Sequence, residues 1–402
     1  LLSVIAAFYS IVIFKGYVSD VSEVYRDVHR HRFMYGDFIL ENKNIRTPEG
    51  RAEPFQYLLT TNEQASVSQF VQRHADLIQT SARFLNIQGM ISNGMNSMIF
   101  LGLAGDVSEA QEIRGDQWAW NVLSGKPLSA KQDMDLILAS GMAKTLGCQS
   151  ISGQVSCETR EMQLSVGTEK GQLNAMDFNV TGIMDPGYRD LDSSYLMISL
   201  SAAQKLFSTQ KISYISFLLK PQTNFSHFKD LFTQEILTQY PNLHLQTSEE
   251  HPNGELYIKT VSFLSGITNL VVAVIIFITL LSVINIKVKA IKERTKEIGV
   301  LRSLGLPRSA IRRIFLWESL TISVFGISFG FIAAMTTRLL ILNAEVHYTS
   351  GLFSMPILLG IRVDSLVCLN ISALLVLMGL AVTYISSIKI LRQRIIENLG
   401  HI

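Results

Sequence analysis

Apolar positions gather at the two ends of the chain. Residues Leu1–Phe14 (LLSVIAAFYSIVIF), Val261–Ile286 and Ser365–Ile388 carry no charge, and Ile314–Leu342 carries only Glu318 near its start and Arg338 near its end. The last three stretches are long enough to cross a ~30 Å hydrocarbon core at ~1.5 Å of helical rise per residue. Glu318 and Arg338 sit where a side chain reaches the headgroups. The first stretch rises only about 21 Å and reads as a membrane helix entered part-way. A signal-peptide core is the competing reading, but no A-x-A-like cleavage site follows it.

From about residue 19 to 256 the pattern changes to short β-rich runs alternating with helical ones. The runs predict strands at Asp37–Glu41, Ala82–Gln88, Ser97–Leu103, Asp177–Gly182, Tyr195–Ser199, Ser213–Lys220 and Leu243–Gln246. Helices are expected at Glu63–Ala75, Leu136–Leu146, Leu200–Ser208 and Phe225–Gln239; in the last, Phe225, Phe228, Phe232 and Ile236 recur at helical spacing between Pro221 and Pro241. Strand–helix–strand units near 37–105 and 195–247 bracket a middle segment, which predicts an α+β domain of two lobes, large enough to bury its own core.

Composition sharpens this picture. Charged residues are 17% of the chain, below the ~25% of an ordinary soluble domain, and mean hydropathy is +0.27. A net charge of +2 argues against a nucleic-acid binder. Charge placement sets orientation: Lys287, Lys289, Lys292, Arg294, Lys296, Arg302, Arg308, Arg312 and Arg313 separate the second and third spans, and Lys389, Arg392 and Arg394 follow the fourth. The segment before the second span is net acidic. By the positive-inside rule, 287–313 and the C-terminus face the cytoplasm and the large domain lies outside. Cys148 and Cys157 fall in that outer domain, where oxidising conditions favour a disulfide between them; two separate buried thiols are the alternative. Cys368, within the fourth span, reads as packing.

Chemistry-bearing motifs dissolve on inspection. Gly326-Ile-Ser328-Phe-Gly330 spells G-x-S-x-G, but it lies mid-span, where Gly326 and Gly330 serve close helix packing instead. His29 and His31 are flanked by Arg26, Arg30 and Arg32, which repel a metal cation, so no metal ligands are assigned. Glu249 and Glu250 read as a solvated turn. No G-x-x-x-x-G-K-[ST] occurs in the chain, and no catalytic residue stands out.

The informative stretch runs from Ile286 to Leu320, IKVKAIKERTKEIGVLRSLGLPRSAIRRIFLWESL. Val288, Ile291, Thr295, Ile298, Leu301 and Gly305 step by three and four, predicting a helix that continues out of the membrane. Gly305 is suited to end it, and Pro307 to open the next helix. This describes a stiff lever with a basic elbow. Within it, Glu293-Arg-Thr-Lys-Glu-Ile-Gly-Val-Leu-Arg-Ser-Leu-Gly305 resembles the E-R-T-[RK]-E-I-G signature of MacB/FtsX-type ABC permeases, the type VII or mechanotransmission transporters that include MacB, LolC and LolE. Phe315-Leu-Trp-Glu318-Ser resembles the opening of that family's third span, and Gly115–Leu146 and Met176–Asp185 more weakly resemble its periplasmic domain. Tyr384–Lys389 departs from the family's usual Pro-Ala stretch.

The resemblance implies a four-helix membrane protein with a two-lobed periplasmic domain, a porter-like lobe carrying an inserted lobe at about 106–176. The expected layout is a first span and stalk start (1–18), the periplasmic domain (19–256), stalk and second span (257–286), a coupling segment (287–313), third span (314–342), a short loop (343–364), fourth span (365–388) and a cytoplasmic tail (389–402). Glu293, Arg294, Glu297, Ile298, Gly299, Leu301, Arg302, Gly305, Arg308 and Arg312 would couple to a separate ATPase dimer, and Glu318 would join Gly326 and Gly330 in helix packing. ATP and Mg2+ belong to that partner, so this chain binds no cofactor. Further expected partners are a second permease copy or paralogue, membrane lipid, and a periplasmic adaptor or lipoprotein. The implied location is a bacterial inner membrane and the implied work is export or extraction of a substrate. A Lol-like lipoprotein-releasing subunit and an FtsX-like regulator are the alternatives.

Overall fold

The computed structural model describes residues 1–115, 122–348 and 356–391. The chain divides into two compact units, one of residues 1–24, 260–348 and 358–402, the other of 25–259 and 349–357. In chain order the elements begin with α1 (Leu2–Asp27), β1 (Phe38–Asn42), α2 (Pro48–Ala52), α3 (Thr61–Arg73), β2 (Ile78–Ser92), β3 (Ser97–Gly105) and α4 (Val107–Arg114). There follow β4 (Val122–Gly125), β5 (Asp135–Ala139), α5 (Ser140–Thr145), β6 (Cys148–Ile151), β7 (Gln154–Cys157), β8 (Glu161–Gly167) and β9 (Leu173–Met184). The second unit closes with β10 (Tyr195–Ser199), α6 (Leu200–Phe207), β11 (Tyr214–Leu219), α7 (Phe225–Phe232) and β12 (Leu243–Thr247). The long helices of the first unit are completed by α8 (Glu255–Glu293), α9 (Thr295–Ser303), α10 (Arg308–Ala344) and α11 (Ser365–Leu391).

The α/β unit is organised by one ten-stranded sheet, in the order β12-β1-β11-β2-β3-β10-β5-β9-β4, with β8 pairing β2 and β9. Most neighbours are antiparallel, but β10 runs parallel to β3 and β5 to β9. Period-two alternation assigns the side chains to two faces. Phe38, Leu40, Leu85, Ile87, Leu136, Leu138, Leu196, Ile198, Ile215 and Phe217 pack into one core with Phe70, Leu206, Phe228 and Phe232 from helices α3, α6 and α7. Ile39, Phe84, Ile137, Met197, Tyr214 and Leu218 pack into the other with Ala110 and Ile113 of α4. Both faces are covered, so the central strands are buried throughout their length. Local chemistry fixes the helix starts. Thr60 and Glu63 form a reciprocal capping box on α3, and Asp106, Ser199 and Asn224 cap α4, α6 and α7.

Several sequence expectations need correction. Leu136–Leu146 is not one helix: Leu136, Ile137 and Leu138 lie in β5 and the helix α5 starts only at Ser140. A short continuous apolar run reads the same in a buried strand as in a buried helix. Phe225–Gln239 splits into α7 and a π-helical turn, Thr233–Leu237. Strands β4, β6, β7 and β8 were not expected; β4, β5 and β8, all from the segment read as an inserted lobe, join the same sheet. Residues 116–121 of that segment, 349–355 of the short loop and 392–402 of the tail lie outside the described residues.

In the helical unit, four of the described helices are long and apolar enough to cross a membrane. The greasy stretches are shorter than the helices holding them, because apolar length measures the hydrocarbon layer and polar flanks stay helical. The layout boundaries at 18, 257 and 313 accordingly fall inside α1, α8 and α10. α10 is built for close approach. Space for a Cβ at Gly326 ends 2.9 Å from Val4 Cγ1, and at Gly330 it ends 3.1 Å from both the Ile5 carbonyl oxygen and Phe8. On another side, Ser319 Oγ donates to the Gly379 carbonyl at 3.2 Å and Thr383 Oγ1 donates to Ser319 Oγ at 3.0 Å, tying α10 to α11.

Gly330→Leu is therefore expected to destabilise the helical unit by about 1–3 kcal/mol through overpacking against α1. Gly266→Leu, inside α8 with nothing within 4 Å, is expected to cause no loss of stability. Thermal unfolding of both variants in detergent makes the comparison.

Candidate functional site

α8 ends at Glu293, and the helix is interrupted at Arg294 (φ −93°, ψ 17°) before α9 begins at Thr295. The single continuous lever expected from the three-and-four spacing is thus two helical pieces. α9 closes with a left-handed glycine, Gly305 at φ +88°. The Gly305 N–H donates to the Arg302 carbonyl at 3.1 Å and the Leu306 N–H to that of Leu301 at 3.2 Å, a paired C-terminal cap that a residue with a Cβ adopts only with strain. Pro307 then caps α10.

A small core holds this elbow in shape. Ile291 of α8, Ile298 of α9, and Ile311 and Phe315 of α10 are buried together, with Leu301 and Leu306 at the margin. The sequence-assigned coupling residues therefore divide. Ile298 and Gly299 are buried and Leu301 half-buried, so they shape the elbow. Glu293, Arg294, Glu297, Gly305 and Arg308 are exposed, while Arg302 and Arg312 are half-buried. The Arg312 guanidinium lies over the Tyr384 ring, 4.9 Å from its centroid. Glu318, expected to act in helix packing, meets a neighbouring helix through charge: it accepts from Arg294 Nη1 at 2.7 Å, linking the α8–α9 break to α10. Acid and base are 24 residues apart, beyond any local spacing rule.

The α/β unit holds a separate set of buried charges that the sequence did not reveal. Arg32 pairs with Asp185 at 2.9 Å, both side chains almost wholly enclosed. Arg114 is 5% exposed. Burial pushes its guanidinium down to about 10, with nearby Arg32 acting in the same direction. These residues, with Tyr35, Tyr195 and Tyr214, line a cavity of about 150 Å³. Burial raises both Tyr195 and Tyr214 above the usual range. His29 and His31 turn to different carbonyls, those of Ser248 and Ile113, each at 2.8 Å. Cys148 and Cys157 face each other in the β6–β7 hairpin and are joined by a disulfide.

A third cluster is pH-sensitive. Arg46 grips Glu41 through two bonds, at 2.9 and 3.1 Å, while His251 Nε2 lies 3.2 Å from Glu41 and 2.6 Å from Arg46 Nη2. Burial lowers the His251 pKa below its usual 6.5, only partly offset by Glu41. Burial alone would raise Glu41, but bonds from His251 and Arg46 hold it below 4.5. Both groups bind protons more weakly folded than unfolded, so each contributes stability that is lost as pH falls: His251 from about 6.5 downward, Glu41 from about 4.5 downward. Asp37, raised above 3.8 by burial, acts in the opposite sense at the acid end. Denaturant midpoints of the full chain are expected to fall between pH 7 and 5, and His251→Gln to flatten that step.

Four helices long and apolar enough to cross a membrane, with Phe263, Leu270, Phe277 and Leu281 exposed around α8, describe a polytopic membrane protein whose spans are joined by a packed basic elbow. Comparison with known proteins makes this specific. Residues 269–395 match the family model "FtsX-like permease C-terminal". The pyoverdine export ATP-binding/permease protein PvdT of Pseudomonas syringae pv. syringae is 28% identical over 205 residues, covering 47% of this chain and 31% of PvdT. The lipoprotein-releasing system transmembrane protein LolC of Xylella fastidiosa is 19% identical over 190 residues, covering 44% of this chain and 45% of LolC. The periplasmic region of MacB from Actinobacillus actinomycetemcomitans aligns in structure with a TM-score of 0.37 at 10% identity, over 53% of this chain and 89% of that one. The chain thus spans a third to a half of the length of these curated relatives. Residues 269–395 thus carry an FtsX-like permease domain, and the chain is similar to ABC-transporter permeases of the FtsX, MacB and LolC kind.

Proposed function

We propose that this chain transmits the motion of a separate cytoplasmic ATPase, which binds ATP and Mg2+, to its α/β domain. In this reading the α/β domain stands in the periplasm of a bacterial inner-membrane assembly built from two permeases and two ATPases. The movement drives export or extraction of a substrate from the periplasm or the outer leaflet. The observation that carries the proposal is the elbow: α9 presents exposed Glu297, exposed Arg308 opens α10 beside it, and the inner side of α9 is fixed to both flanking spans by Ile298 packing on Ile291, Ile311 and Phe315. A partner pressing on α9 would move α8 and α10 with it. The excess of cations from Lys287 to Arg313 supports a cytoplasmic position for the elbow.

Glu297→Ala and Arg302→Ala are each expected to lower permease-stimulated ATP hydrolysis by about tenfold or more, the worth of a charge-assisted hydrogen bond, with the chain still folded and inserted. Unchanged stimulation in both would remove α9 as the contact. The similarity to LolC favours a second reading of the cargo, release of lipoproteins. Copurification of an acylated lipoprotein supports that reading, and copurification of a periplasmic adaptor supports efflux.

A further inference from the structure

We infer that a groove between α10 and α11 seats an anionic phospholipid of the bilayer. The groove is shallow and open along its outer side, has a volume of about 540 Å³, and is lined by Leu316, Trp317 and Leu320 of α10 and by Leu377, Leu380, Ala381 and Tyr384 of α11, with Arg313 on its wall. Its register follows from contacts already described. Arg312 over Tyr384 at one end, and Ser319 bonded to Gly379 further on, set the two helices antiparallel. Arg313 and Tyr384 therefore mark one end of the groove, and Leu320 and Leu377 the other.

Charge and polarity change along that line. At the Arg313 end are the cations Arg308, Arg312 and Arg313, and among the described residues none of the three has an ion pair. Trp317 and Tyr384 are 61% and 45% exposed there, the amphipathic rings favoured at headgroup depth. Seven residues further along α10, about 10 Å at ~1.5 Å per residue, the walls are leucine and alanine alone. A basic mouth, an aromatic rim and an apolar floor match a phosphate headgroup followed by acyl chain. Basic pockets between membrane helices on the cytoplasmic side recognise anionic headgroups in this way. A zwitterionic lipid fits the floor equally well, but its headgroup cation is repelled by the arginines and offsets the attraction of its phosphate at the mouth, so the site selects by net charge.

The test is native mass spectrometry of the full chain in detergent, titrated with dioleoylphosphatidylglycerol or dioleoylphosphatidylcholine. The glycerol lipid is expected to be retained preferentially, and Arg313→Gln to reduce that preference about fivefold, the equivalent of ~1 kcal/mol per basic residue at an anionic surface. Leu320→Trp, which fills the floor, is expected to reduce retention of both lipids. Equal retention of the two lipids by the wild-type protein overturns the inference whatever the variants do, as does a preference that Arg313→Gln leaves undiminished. A photoreactive residue at Leu377 supplies an independent arm: crosslinking to lipid supports the site, and crosslinking to a second copy of the chain assigns the groove to an oligomer interface instead.

Discussion

Asp185→Ala is expected to destabilise the α/β unit by about 3–5 kcal/mol, the penalty for removing one partner of a buried ion pair. The Arg32 guanidinium lies 2.9 Å from this carboxylate with 5% of its side chain exposed, and the buried Arg114 borders the same cavity. Removing the acid leaves two cations close together in a region that water does not reach freely. Asp185 has a second duty, since its Oδ1 accepts from the Gly187 N–H at 2.9 Å and so shapes the turn after β9. Asp185→Asn keeps that bond and the side-chain volume but loses the charge, so its effect should be intermediate. The double variant Arg32→Met, Asp185→Leu should recover much of the loss, because apolar residues of similar size often replace a buried pair without penalty. Denaturant unfolding of the full chain, followed by the strand signal in circular dichroism, reads all three. A single-variant loss below about 1 kcal/mol would place the pair in the class of weak, solvated ion pairs.

The contrast between this cluster and the elbow shows where the sequence was informative. Spans are encoded by composition over twenty or more residues, and turns of helix by caps such as Thr60 with Glu63, so both are local and readable. The heptapeptide-scale spacing of Val288, Ile291, Thr295, Ile298 and Leu301 likewise points to one inward side. What spacing does not contain is the break at Arg294, which is held by an ion pair to Glu318 on the next helix. The pairing of Arg32 with Asp185 joins residues 153 apart, and Arg114 gives no signal at all, since an arginine in the last turn of a helix normally reads as solvated. β5 was misread for a related reason: a strand buried on both faces loses the alternation that marks a half-buried one. Elements defined by their neighbours along the chain were legible; those defined by partners across the fold were not.

Ile298→Asp is the complementary experiment at the elbow, expected to abolish stimulated ATP hydrolysis while leaving the α/β unit intact. Ile298 is 1% exposed and packs with Ile291, Ile311 and Phe315. Losing its burial removes about 1.5–3 kcal/mol, and a carboxylate in that position adds a desolvation penalty that no cation in the small core offsets. α9 spans only Thr295–Ser303, too short to hold itself helical in water without this packing, so it is expected to detach from α10 rather than tolerate the charge. Ile298→Val, with a loss of about 0.5–1.5 kcal/mol, should keep most of the stimulation. The pair of substitutions separates two roles that Glu297→Ala does not. Glu297 is exposed and tests the proposed contact with an ATPase, whereas Ile298 faces inward and tests whether such a contact is tied to the spans. If Ile298→Asp still binds the ATPase but no longer responds to it, motion passes through the buried side of α9. Full stimulation by Ile298→Asp would mean that the force reaches the membrane by some other part of the chain.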